Sequence, residues 1–354
     1  MTTAASEFFS QAADDFRALA RSGGTASHYL LIAGLKLRID IAKGHFERQI
    51  CRALAHLTVA PFAQPDLTIL AWDSTSTGAP PLKPAWTVAD YGDHGLIRGF
   101  NDPRYHTAVQ LDPTIFRMFD RVGRQAIYWM ADARELPHWE IGAPLRPLLH
   151  EWLLSSGRLP VHGGAVGRPD GGILLAGAGG AGKSNTALAC LESDLLYASD
   201  DFCVLAYDGG WQVHSLYCTG KIGAGDLARH PRLKPHVANA DALDREKALF
   251  FVNEFAPDKI IRTMPLQAIV MPHLDTSRAA ALVEDTAGAA QRAIAMSTIE
   301  LSRWTASATF AQVARLVRAL PRYRLRIGED AAAVPGLLSD LLNRLQGSRR
   351  AGLS

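Results

Sequence analysis

Residues 172–184 read Gly-Ile-Leu-Leu-Ala-Gly-Ala-Gly-Gly-Ala-Gly-Lys-Ser. The first five have the composition of a buried strand. The octapeptide Gly177–Ser184 has the spacing G-x-x-x-x-G-K-[ST], and Asn185 to Glu192 continues with helical character. Strand, glycine-rich loop and helix in that order predict a phosphate-binding loop on an α/β fold. Glycines let the backbone adopt positive φ and turn its N–H groups toward one anion. A helix starting at Lys183 adds a positive dipole end. The Lys183 ammonium would reach the β- and γ-phosphates, and the Ser184 hydroxyl would hold Mg²⁺. The nucleotide contacts expected are therefore Gly177, Ala178, Gly179, Gly180, Ala181, Gly182, Lys183, Ser184 and Asn185. The bland alternative is a turn of small residues.

The sequence around this loop is that of an ordinary globular protein. It has 354 residues, 48% hydrophobic and 20% charged, enough for two domains and a sizeable core. A formal net charge of +2 gives no basic surface for nucleic acid. Cys51, Cys190, Cys203 and Cys218 show no C-x-x-C spacing and no clustering with histidine. Neither zinc nor a disulfide framework is expected, and buried thiols in a reducing compartment are. The first 21 residues are amphipathic and carry Glu7, Asp14 and Asp15, without the basic start and apolar run of a signal peptide. No stretch reaches transmembrane length. The expectation is a cytoplasmic protein with no membrane or nucleic-acid partner and with self-association left open.

Before the loop, residues 8–20 read as a helix, 28–40 as two strands around Gly34, 46–57 as helical and 66–72 as a strand. Residues 74–86 read as a loop, with strand-like pieces at 95–99, 106–111 and 126–131. This gives a smaller α+β N-terminal domain, residues 1–142, without a catalytic constellation and with substrate recognition as its candidate role. The second domain, 143–348, alternates strand and helix. Strands are expected at 161–166, 172–177, 195–205, 211–217, 248–253, 266–271 and 323–327. Helices are expected at 144–155, 183–193, 286–295, 307–319 and 334–345.

Two features narrow the chemistry. Asp200 and Asp201 follow the apolar run Leu195-Leu196-Tyr197-Ala198. A carboxylate at the end of the strand beside the loop can bind Mg²⁺, and its neighbour can accept a proton from an attacking hydroxyl. Ser-Asp-Asp is also common turn chemistry. His162, in Val161-His162-Gly163-Gly164-Ala165, lies one strand before the loop and could approach the γ-phosphate. An N-K-x-D guanine signature is absent, as are the H-R-D and D-F-G motifs of eukaryotic-type protein kinases.

The block 161–201, VHGGAVGRPDGGILLAGAGGAGKSNTALACLESDLLYASDD, resembles the core of HPr serine kinase/phosphorylase. His162 precedes Lys183 by 21 residues, and Asp201 follows Ser184 by 17, as in that family. The resemblance implies a phosphoenolpyruvate-carboxykinase-like P-loop kinase domain with ATP and Mg²⁺ as cofactors. It implies that Lys183 stabilises the transferring phosphoryl group and Ser184 binds Mg²⁺. It further implies that Asp201 accepts the proton of a substrate serine, Asp200 assists the metal, and His162 is the active-site histidine. Arg262 is the candidate for a later phosphate-contacting arginine, with Lys221 and Lys247 as weaker candidates. The family's E-x-R-G-x-G segment has no counterpart; residues 219–226 read TGKIGAGD. Phosphorolysis and HPr itself as acceptor are therefore not implied. The stretches 135–153 (ELPHWEIGAPLRPLLHEWL) and 214–222 (HSLYCTGKI) resemble HPr-kinase-related proteins of bacterial peptide-maturation clusters. Some of those phosphorylate a serine of a lasso-peptide precursor. The implied partner is a serine-bearing peptide or protein. The rival readings are a small-molecule hydroxyl kinase on the same core and a non-catalytic ATP-binding scaffold.

Overall fold

In a computed structural model that describes residues 3–299, 306–328 and 330–351, the chain divides into two units, Met1–Trp152 and Leu153–Ser354. The division falls inside the helix Arg146–Ser155. The fold class is mixed α/β, with mixed sheets in both units. No helix of the described residues is long and apolar enough to cross a membrane.

The first unit is built on β1 (Thr25–Ile32), β2 (Leu35–Ala42), β3 (Leu67–Asp73), β4 (Tyr105–Leu111), β5 (Thr114–Asp120) and β6 (Gln125–Met130). Their order is β1-β2-β3-β6-β5-β4, with β2, β3 and β6 parallel. Ala33 and Gly34, both at positive φ, make the tight turn that joins β1 to β2. The helix Ala4–Gly23 is capped by the Thr3 hydroxyl, which accepts from Ser6 N. Its Phe9, Ala12 and Phe16 pack with Leu70, Trp72 and Trp129 of the sheet. Residues 95–99 form a short turn with isolated bridges rather than a strand.

The second unit contains β7 (Leu159–His162), β8 (Gly164–Arg168), β9 (Gly171–Leu175), β10 (Leu196–Ser199), β11 (Phe202–Tyr207), β12 (Trp211–Ser215), β13 (Thr219–Ile222), β14 (Ala248–Phe251), β15 (Thr263–Leu274), β16 (Ala281–Glu284) and β17 (Arg322–Ile327). The main sheet runs β10-β8-β9-β15-β12-β11-β7, with β17 also on β15 and β16 on β17. β9, β15 and β17 are parallel. β9 and the middle of β15 are apolar on both faces because helices cover both, whereas β17 alternates arginine or tyrosine with buried Leu325 and Ile327. On one face Ile173, Leu175, Ala268 and Val270 meet Ala187 and Leu188 of the loop helix and Leu338 and Leu342 of the C-terminal helix Val334–Ala351. On the other, Leu174, Ala176 and Ile269 meet Ala290, Ile294, Val313 and Leu316 of the helices Ala287–Ile299 and Ala306–Ala319.

Two expected strands are each broken in two. The run 161–166 splits at Gly163, where a Cβ would stand 2.9 Å from the Leu175 carbonyl oxygen. The run 195–205 splits at Asp200–Asp201, because β10 and β11 belong to different parts of the sheet. The Ser199 hydroxyl, donating to the Phe202 carbonyl at 2.7 Å, fastens that turn. Gly163-Gly164 marks the first break and Ser199-Asp200-Asp201 the second, but neither pattern says that the flanking strands part within the sheet.

Leu174 is fully buried between β9 and the 287–319 helices. Leu174→Ala should lower the unfolding free energy of the second unit by about 2–5 kcal/mol. Urea unfolding followed by hydrogen exchange on peptides of each unit checks this. A loss below about 1 kcal/mol would contradict the packing described.

Candidate active site

The loop 177–182 leaves β9 at its carboxyl end and enters the helix Lys183–Ala189. Ala176 N still donates to the Val270 carbonyl at 2.9 Å, so the loop springs from a strand held on both sides. Gly180 and Gly182 have φ of 79° and 101°, and a Cβ on Gly182 would come within 2.6 Å of Ile327 Cδ1. Glycine is required there for both conformation and space. The Lys183 ammonium folds back onto its own loop, donating to the Gly177 and Ala178 carbonyls at 2.8 and 3.1 Å. Burial pushes its pKa down, while the charges of Asp201 and Asp200 act in the opposite direction.

Asp200 and Asp201 occupy the turn between β10 and β11. A Cβ on Gly164 would lie 3.2 Å from the Ser199 carbonyl oxygen and 3.3 Å from Asp200 Cα, so the His-Gly-Gly segment lets this turn approach β8. Asp200 is 1% exposed. Its Oδ2 accepts from Lys221 N at 2.8 Å, and its Oδ1 is buried without a hydrogen-bond donor. Burial, then the charge of Asp201, raise its pKa to about 6, against the Lys221 backbone and the nearby Ser184 hydroxyl. Asp201 goes the other way. Burial opposes its charge, but hydrogen bonding from His162 and the Lys221 cation outweigh burial and hold it below the usual carboxylate range. His162 Nε2 donates to Asp201 Oδ1 at 3.0 Å, and Lys221 Nζ lies 3.4 Å from Oδ2. The His162 ring stacks on Phe202, its cross-strand partner, with centroids 5.2 Å apart. Its backbone N–H donates to the Thr298 hydroxyl at 3.4 Å.

The structure thus brings Lys183, Ser184, Asp200, Asp201 and His162 together. Lys221 joins them, as an ion-pair partner rather than the solvated surface lysine its sequence context suggests. It lies on β13, whose ladder with β14 places it opposite Leu249 and leaves Lys247 one residue before β14. The charge of Lys247 is felt at Lys183. No sequence pattern pointed to this pairing; the nearest signal was the close spacing of Lys221 to a family segment that does not match. Arg262 is the exception. Its side chain is exposed, its carbonyl accepts from Ser215 N, and among the described residues no hydrogen bond or ion pair joins its guanidinium to the loop or the carboxylates. Asn185 faces away from the carboxylates: its Nδ2 donates to Asp226 Oδ2 at 3.2 Å, and His230 Nε2 lies 3.3 Å from its Oδ1.

Among the described residues there is no group of three or more His, Cys, Asp or Glu side chains placed to hold a metal. A divalent cation held jointly by phosphates needs fewer protein ligands. The donorless Oδ1 of Asp200, beside Ser184, is the kind of group such an ion satisfies. None of the four cysteines is in a disulfide, and burial pushes the Cys190 and Cys203 thiols up to about 12, so they take no part in the chemistry.

The site defines an α/β protein in which a glycine-rich loop closes on a lysine beside two adjacent carboxylates, one buried and one partly exposed. No family model matches the chain. No curated protein matches it. Among solved structures, the HPr(Ser) kinase/phosphatase from Coxiella burnetii matches with 11% identity and a TM-score of 0.29, covering 55% of this chain and 97% of that one.

Because Asp200 is harder to ionise folded than unfolded, it stabilises the fold least at high pH. Its penalty is absent below about pH 4, grows as pH rises and is complete above about pH 6. In the absence of divalent cation, Asp200→Asn should therefore be more stable than the parent at pH 7.5 by on the order of 1–3 kcal/mol. The difference should vanish near pH 4. Urea unfolding at the two pH values checks this, and equal stability of parent and variant at pH 7.5 would contradict it.

Proposed function

We propose that the chain is an ATP- and Mg²⁺-dependent kinase of the HPr-kinase-like type that phosphorylates a serine hydroxyl of a peptide or protein. The observation that carries this reading is geometric: beside the loop that holds Lys183, Asp201 is bonded to His162 and Lys221, while its neighbour Asp200 keeps a buried oxygen without a donor. Two acids with opposed environments can take separate roles in one reaction. Asp201, ionised at neutral pH and fixed by His162 and Lys221, suits the acceptor-side role. It would take a hydrogen bond from the serine hydroxyl, aim the oxygen at the γ-phosphorus and receive its proton as the new P–O bond forms and ADP departs. Asp200, with its donorless oxygen, suits the cation side together with Ser184.

Lys183 would exchange the Gly177 and Ala178 carbonyls for phosphate oxygens, an exchange its lowered pKa favours because the present partners are neutral. Its charge would then stabilise the transferring group. When bound, Mg²⁺ would neutralise charge developing between the β- and γ-phosphates. The domain arrangement would be phosphoenolpyruvate-carboxykinase-like, and the first unit would recognise substrate. The stretches 135–153 and 214–222 favour a ribosomally made precursor peptide as acceptor.

Incubation of γ-labelled ATP with cell lysate, a serine-peptide panel, free serine and sugars identifies the acceptor. Label should pass to peptide or protein and not to the small molecules. Lys183→Ala should abolish transfer. Asp201→Asn should retain ATP binding and lose about 10²–10⁴ in transfer rate. Transfer by Asp201→Asn at the parent rate would refute the acceptor-side role.

A further inference from the structure

The second unit holds a concavity that the carboxylates do not use. A cavity of about 640 Å³ runs along the outer side of the loop helix, with Asn185, Thr186 and Ala189 on its wall. Leu274 and Ile327 also line it. They are the last residues of β15 and β17 and partners in the parallel register, and β9, which feeds the loop, is the other parallel neighbour of β15. The cavity therefore lies outside the carboxyl ends of the same three parallel strands that launch the loop, the crevice in which α/β sheets hold ligands. Its size is that of a small-molecule site.

Its chemistry is selective. Pro231, Ala331, Val334 and Pro335 supply apolar surface. Charge on the lining is mostly acidic: Glu192, Asp194 and Asp340 against Arg232. Asp194 already has its own partners, Arg168 at 2.6 Å and the Ser339 hydroxyl at 2.8 Å. Such a lining repels a further phosphate and suits an uncharged, flat group that donates hydrogen bonds. The mouth is fixed as well, since Asn185, next after Ser184, is tied to Asp226 and His230.

We propose that this cavity receives the nucleoside half of a purine nucleoside triphosphate whose phosphates lie on the 177–184 loop. The base contacts the apolar wall, and its exocyclic amino group faces the acidic edge. This rests on the phosphate-loop reading and deepens it, because it makes the 185–189 helix face and the 331–340 segment the source of nucleotide selectivity.

Gly336 offers a clean test. It lines the cavity, it is exposed, and a Cβ built on it meets nothing within 4 Å, so a large side chain can enter without displacing the fold. Titration calorimetry on the full chain with Mg²⁺ would compare ATP with inorganic tripolyphosphate, which has the phosphates and no nucleoside. Gly336→Trp and, independently, Ala189→Phe should each weaken ATP at least tenfold and leave tripolyphosphate within twofold, with thermal melting confirming the fold of each variant. ATP affinity within twofold of the parent in both variants, while Lys183→Ala loses both ligands, would overturn the cavity assignment and leave the loop reading intact. Equal loss of both ligands in the two cavity variants would also overturn it. A parent chain that binds neither ligand would overturn both.

Discussion

Placing two adjacent carboxylates in one tight turn, Asp200 buried and Asp201 partly exposed, is the constraint around which the second unit is arranged. Asp200 is 1% exposed, and Asp201 follows it directly. Burial alone would protonate both, because desolvation penalises the charged form and like charges penalise each other. The surrounding structure resolves the conflict unequally. Asp201 is given a histidine from β7 and a lysine from β13, and it stays ionised. Asp200 is given one backbone N–H and is left with an oxygen that has no donor. On the proposed reading, the asymmetry would let one acid act on an acceptor while the other takes a cation.

Much of the local architecture is accounted for by that turn. The chain must leave β10, pass the two acids and enter β11 within a few residues, and Gly164 at the start of β8 gives it room. β7 then lies along β11, which puts His162 opposite Phe202 and one residue from Asp201. β13 must come close enough for Lys221 to reach Asp200 through its backbone N–H and Asp201 through its ammonium. The loop lysine has neutral carbonyls as its hydrogen-bond partners, which on the proposed reading it would exchange for phosphate oxygens.

The parts legible in the sequence were those encoded by short, continuous patterns. Gly177–Ser184 announced its loop because glycine spacing, lysine and serine all serve one local geometry, and the flanking β9 and helix were apolar in the right periods. Strands were legible at 172–177, 266–271 and 323–327, but their parallel pairing was not, because no local pattern says which strands lie side by side. Illegible were features that depend on pairing between distant segments. Lys221 looked like a surface residue because nothing in its neighbourhood says that β13 packs against the Asp200 turn. Ser199-Asp200-Asp201 interrupts the apolar run 195–205, but nothing local says that the strands on either side join different parts of the sheet, and Arg262 was placed by analogy with no local signal to support it. The cavity beside Asn185 is made from stretches far apart in sequence, around 185–194, 230–232, 274 and 327–340, so no single stretch carries its signature.

The central claim is that one loop and one acid pair together hold a nucleoside triphosphate and its metal for phosphoryl transfer. A crystal structure of the full chain with Mg²⁺ and a non-hydrolysable ATP analogue tests it most directly. The account predicts Lys183 Nζ withdrawn from the Gly177 and Ala178 carbonyls and bonded to phosphate, and the metal shared by Ser184 and Asp200. Asp201 should still be held by His162, facing the γ-phosphate. An analogue bound elsewhere, or one bound with Lys183 still on its own loop and no metal at Asp200, would contradict it.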